Sequence, residues 1–125
     1  MLITFYGVLG STPSPGPSTV KYGGNTSCVH IALDDHRDLI LDAGTGLRLL
    51  GQQLQKKSSP INIVLSHGHW DHIQGYPFFS PIFQPERQIN VYTSVESGHR
   101  LLCSLFDQID GANFPVHVND LPSRS

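Results

Sequence analysis

Ser66-His67-Gly68-His69-Trp70-Asp71-His72-Ile73-Gln74-Gly75 packs three imidazoles and a carboxylate into six residues, directly after the apolar run Ile61-Asn62-Ile63-Val64-Leu65. Histidine nitrogen and carboxylate oxygen suit divalent zinc, manganese or iron, and no cysteine lies nearby to make a closed thiolate site. The order of the segment predicts a strand that delivers ligands into a loop. His67 and His69 are two apart, so in extended backbone they point the same way and can share one ion. Asp71 and His72 are adjacent, so where the chain turns into a helix they diverge toward a second. Three histidines with an aspartate at a strand exit read as ligands, where a lone histidine reads as packing. Gly68 and Trp70 fill the spacer positions and are given only a structural role.

The elements around the loop must hold it. Leu2–Tyr6 reads as a first strand, ended by Gly7 and Gly10. Ser11-Thr12-Pro13-Ser14-Pro15-Gly16-Pro17 can join neither a ladder nor a helix, because proline lacks the donor and restricts its predecessor. Thr26 to Leu33 alternates with period two and predicts a half-buried strand, and 38–42 returns as its hairpin partner after the polar turn 34–37. Ala43-Gly44-Thr45-Gly46 then leads into a helix over 47–54, with Leu47, Leu50 and Leu54 on one face. That glycine-rich turn has neither the P-loop nor the dinucleotide spacing. A short packed helix is expected over 76–83, a strand over 88–92, and a helix over 95–106 with Leu101, Leu102 and Leu105 inward. This βαβα alternation from Ile61 implies a parallel sheet segment with the ligands at its carboxyl ends. His30 and His36 are read as ordinary strand and surface histidines, and His117 as structural.

His-x-His-x-Asp-His followed by glycine resembles the signature of the metallo-β-lactamase superfamily. Within it, Tyr22-Gly23-Gly24-Asn25-Thr26-Ser27, Leu41-Asp42-Ala43-Gly44-Thr45-Gly46 and Asp71-His72-Ile73-Gln74-Gly75-Tyr76-Pro77-Phe78-Phe79 are similar to motifs of the phosphodiesterase and tRNase Z-like branch. The resemblance implies an α/β fold, the four-layer αββα sandwich, of which residues 1–125 would be a partial domain. They would form its N-terminal half, a mixed sheet with flanking helices. It implies two divalent metal ions, zinc first with manganese or iron as alternatives, held by His67 and His69 at one site and by Asp71 and His72 at the other. The remaining ligands, in the family, follow later strands. Asp42 would orient a ligand histidine, a role that the residues alone do not separate from a turn carboxylate.

In such a site two cations lower the pKa of a shared water toward about 7 and stabilise charge on the attacked group. Asp71, beside that water, would hold or accept its proton. The expected function is metal-dependent hydrolysis of a phosphodiester, in a small molecule, a nucleotide or an RNA end. One alternative is a lactone, thioester or β-lactam hydrolase. Another is a non-catalytic half-domain that pairs with a complementary C-terminal half, a partner chain or a second copy. The redox branch of the family carries a carboxylate where His69 stands and is set aside. The tail from Phe114 to Pro122 resembles the family's next strand.

Composition bounds the rest. At 125 residues the chain has the length of one small domain, and it is poor in charge, 14% against the usual quarter. Its net charge of −2 offers no basic footprint for nucleic-acid phosphates. Cys28 and Cys103 are expected to be a reduced intracellular pair. The amino terminus lacks a basic n-region, and no apolar run approaches transmembrane length, so a cytoplasmic location without membrane contact is expected.

Overall fold

The computed structural model describes residues 1–96 and 98–123. Five strands form one mixed sheet in chain order: β1 (Leu2–Gly7), β2 (Cys28–Ala32), β3 (Asp38–Leu41), β4 (Ile61–Val64) and β5 (Ile89–Tyr92). The first three are antiparallel neighbours, and β3, β4 and β5 run parallel. Helix α1 (Leu47–Leu54) carries the chain from β3 to β4, and α2 (Gly98–Asp107) follows β5.

One face of the sheet supplies Ile40, Ile61, Ile63 and Ile89 to the core, where Leu47, Leu50 and Leu54 of α1 and Leu101 and Leu105 of α2 meet them. Full burial of each such side chain contributes roughly 1.5–3 kcal/mol. The 3.6-residue spacing in α1 therefore becomes packing as the sequence predicts. In α2, Leu101 and Leu105 are buried and Leu102 is only half-buried. The opposite face carries two apolar rows, Ile3–Ile31–Leu39 and Phe5–Val29–Leu41–Val64–Tyr92, set by the strand register. At its edges and centre this face is open, with Phe5 67%, Leu41 36% and Tyr92 52% exposed.

At the start of β3, far from the ligand loop, buried Asp38 is met by His30 Nε2 at 2.7 Å, Lys57 Nζ at 3.4 Å and Ser59 Oγ at 3.5 Å. His30 is thus a strand histidine hydrogen-bonded to a carboxylate. Arg87 fastens the end of α1, its Nη1 donating to Leu54 O at 3.0 Å, to Gln84 Oε1 at 2.7 Å and to Lys57 O.

Three local expectations are corrected. The helix expected over 76–83 is instead two 3-10 turns, Tyr76–Phe78 and Ser80–Phe83. Pro77 and Pro81 cannot donate to a continuous α-helical ladder, so each starts its own turn. The tail does not form a strand. Asp110 accepts from the backbone N–H of Ala112 at 2.9 Å and Asn113 at 2.7 Å, which bends the chain. A single bridge to His117 and a 3-10 turn at Val118–Asp120 follow. There His117 Nδ1 accepts from Asn119 N at 3.2 Å. Finally, α2 begins at Gly98 rather than at 95, and Ser97 of the expected helix lies outside the described residues, as does Ser125.

Candidate metal centre

The chain leaves β4 at Val64 and exposes Ser66 to His72 at the carboxyl end of the parallel strands. Asp71 and His72 sit on a 3-10 turn, Trp70–His72, which separates their direction from that of the extended residues before it. The loop is held from behind by the turn after β3. Ala43 N donates to His72 O at 2.8 Å, and Gly75 N donates to Ala43 O at 2.9 Å. The approach needs glycine on both sides: a Cβ on Gly75 would lie 1.9 Å from Gly44 O, and one on Gly44 would lie 2.5 Å from Asp71 O. The Gly-Gly-Asn-Thr-Ser turn completes the support, with Thr26 N donating to Thr45 Oγ1 and Thr45 N to Thr26 Oγ1, both at 2.8 Å.

Asp42 is the hub. It stands just past β3 with φ 62°, a left-handed conformation that aspartate tolerates better than most residues, and it is 8% exposed. Its Oδ1 accepts Ser66 N–H at 2.8 Å, and its Oδ2 lies 2.9 Å from His72 Nδ1. A carboxylate only accepts, so His72 carries its proton on Nδ1. Ser66 Oγ lies 2.9 and 2.8 Å from the two Asp42 oxygens and 2.9 Å from His67 Nδ1. Having one proton, the hydroxyl gives it to the carboxylate and accepts from His67 Nδ1–H. Both imidazoles are thereby left with their Nε2 lone pairs outward.

The three rings are close. The His67 centroid lies 4.5 Å from that of His69 and 4.1 Å from that of His72. His72 Nε2 is 3.4 Å from Asp71 Oδ2, two lone-pair donors facing each other. That spacing fits an ion between them, since zinc–nitrogen and zinc–oxygen bonds near 2.0–2.2 Å at a tetrahedral angle separate the donors by about 3.4 Å. Asp71 Oδ2 also accepts from Ser11 N at 3.0 Å, which with the nearby histidines holds its carboxyl below the usual carboxylate range. Asp71 is therefore an anion throughout the neutral range and a weak base. Among the described residues no group of three or more His, Cys, Asp or Glu side chains converges as a complete metal cage. What the four residues offer is two donor pairs side by side.

A cleft of about 330 Å³ opens on the His67 and His69 side, lined also by Gly68, Leu101, Arg100 and Ser104 from α2. Sequence reasoning missed Arg100, since nothing in a linear pattern brings a helix residue thirty positions on to the loop. Trp70, given only a structural role in the sequence, is 71% exposed. Both cysteines are free, as expected. Burial next to Asp42 pushes the Cys28 thiol up to about 12, so it stays neutral and inert. No helix among the described residues is long and apolar enough to cross a membrane.

A family model described as the metallo-beta-lactamase superfamily matches residues 8–121. Among solved structures, Zn(2+)-bound PqqB from Methylobacterium extorquens matches with a TM-score of 0.51 and 18% identity, over 82% of this chain and 45% of that one. The chain thus spans under half the length of that structure, and at this identity the likeness is one of fold. No curated protein matches.

Proposed function

The chain belongs to the metallo-beta-lactamase superfamily, and from that premise we propose that it forms the ligand-bearing half of a metal-dependent phosphodiester hydrolase. His67 and His69 hold one divalent ion in this reading, and Asp71 and His72 a second, with the open positions taken by water or by donors from a second copy of the chain. Zinc takes first place: the imidazole and carboxylate donors suit it, and the similar PqqB structure is Zn(2+)-bound. Ions bound there would supply Lewis acidity and bring a water's pKa toward about 7.

The protein's own part is orientation. The observation that carries the reading is the Asp42–Ser66 relay, which engages Nδ1 of His67 and His72 and leaves their Nε2 atoms beside the Asp71 carboxylate. Asp71, too weakly basic to keep a proton, acts by accepting a hydrogen bond from water and fixing its direction. Arg100 in the adjoining cleft favours an anionic substrate over a neutral ester or lactam.

The test is to load the purified chain with zinc and assay bis(4-nitrophenyl) phosphate beside a carboxylic ester reporter. Phosphodiester turnover supports the reading, and turnover of the ester alone replaces it with a carbonyl hydrolase. A second reading, a half-domain that acts only when paired, is favoured by the two-plus-two donor pairs and by the 45% coverage of the PqqB chain. Metal bound below one ion per chain, with no turnover of either reporter, would select it.

A further inference from the structure

Among the described residues, four other than glycine hold a positive φ: Ser11 at 70°, His36 at 65°, Asp42 at 62° and Glu86 at 63°. Two of these touch the ligand loop. Asp42 accepts from His72 Nδ1, and the backbone N–H of Ser11 donates to Asp71 Oδ2 at 3.0 Å. The two donors assigned to the second ion are thus held from opposite directions, each by a residue in backbone that is uncommon outside glycine. We propose that the Ser11 N–H is the positioning group of that half of the site: it fixes the plane of the Asp71 carboxylate, so that Oδ2 faces the ion together with His72 while Oδ1 is left to water. The proposal rests on the metal-dependent reading above and adds the division of roles between the two oxygens.

The turn at Ser11 is built to present that N–H. Thr12 N donates to Gly10 O at 2.9 Å across Ser11, which with φ 70° makes Gly10-Ser11-Thr12 the rare, strained form of the γ-turn. Such a turn uses its first carbonyl and its third N–H, so the central N–H is left over for another acceptor. Serine lacks the amide or carboxylate that eases asparagine and aspartate into this region, and the chain on either side keeps it there. Before the turn, Val8 N and Leu9 N both donate to Asn25 O, at 3.1 and 3.0 Å. After it, Ser14 N donates to Gly24 O at 2.9 Å, and a Cβ on Gly24 would lie 2.6 Å from Ser14 O. The Gly-Gly-Asn-Thr-Ser turn that supports the ligand loop therefore also pins both flanks of Ser11.

An aspartate's outer torsion is broad, so a carboxylate without a fixed partner samples many planes. A backbone donor removes that freedom, and unlike a side chain it neither titrates nor changes rotamer. Oδ2 has two lone pairs; the Ser11 N–H takes one, and the same atom lies 3.4 Å from His72 Nε2. Among the described residues no other residue donates to Oδ1, which can accept from water. Neither His67 nor His69 is hydrogen-bonded to the loop around Ser11 among those residues, so the first ion's donors stand apart from it.

Cys28 allows the N–H to be removed alone. A synthetic segment of residues 1–27 is ligated to a recombinant one beginning at Cys28 and refolded, once with the ordinary Gly10–Ser11 amide and once with an ester in its place, which deletes the donor and keeps the side chain. Zinc is titrated against a chromophoric chelator, and cobalt(II) is followed by its visible absorption. The expected result is two ions on the amide chain, with the ester weakening one of them by about tenfold or more, altering that ion's cobalt bands and leaving the other ion unaffected. A loop that served stability alone would move both ions or neither. Ser11→Gly keeps the N–H and adopts φ 70° without strain, whereas a β-branched side chain resists it, so Ser11→Val should weaken the second ion more than Ser11→Gly does. Should the ester chain not refold, this pair of variants decides. Equal second-ion affinity for amide and ester, or for the two variants where they alone fold, overturns the proposal and leaves the metal reading standing. An amide chain that takes up no second ion overturns the two-ion reading, and the role of Ser11 falls with it.

Discussion

At Asp42 one carboxylate ties the backbone of Ser66, the hydroxyl of Ser66 and the ring of His72 together, and through Ser66 it reaches His67. Asparagine at this position keeps the shape and tolerates the positive φ, yet it replaces one acceptor oxygen with a donor. The Nδ1–H of His72 or the Ser66 hydroxyl must then reorient. Asp42→Asn is therefore expected to fold while losing about 10–100-fold in zinc affinity, measured by competition with a chromophoric chelator. The close grouping of His67, His69, Asp71 and His72 was legible in the sequence, because its spacing is local. The tautomers were not: they depend on a carboxylate more than twenty residues upstream, and only the resemblance pointed to Asp42.

Among the elements, β1 to β5 and α1 follow from period-two and period-3.6 patterns that each segment carries internally, and they form close to where those patterns place them. The errors fall where single side chains override the pattern. Pro77 and Pro81 divide one expected helix, and Asp110 turns the tail that reads as a strand. Asp110 also gives this turn a pH dependence. The backbone N–H groups of Asn113 and Ala112 lower its carboxyl below the ordinary 3.8. A folded-state pKa below the unfolded one stabilises the fold at pH above the ordinary value, and that contribution is lost as pH falls through the lowered value. Asp110→Ala should accordingly be less stable than the parent in urea melts at pH 7, and the gap should narrow below pH 4.

For the whole molecule, one sheet face is packed under α1 and α2 while the other presents Phe5, Leu41 and Tyr92 to solvent. A continuous apolar surface of this kind is covered in stable assemblies. Light scattering on the purified chain is expected to give a mass above that of one chain, and Leu41→Glu with Phe5→Glu to shift it toward the monomer without altering the circular dichroism spectrum. The clamp between Ala43, His72 and Gly75 bears on the order of events during folding. It is made from main-chain groups some thirty residues apart, and it closes only when β3 and β4 have paired in register. In a zinc finger the ion organises the chain; here the chain shapes the loop from its own hydrogen bonds, so under the proposed function ion capture would follow folding. Stripping the ions with a chelator should then abolish chemistry and leave the fold standing.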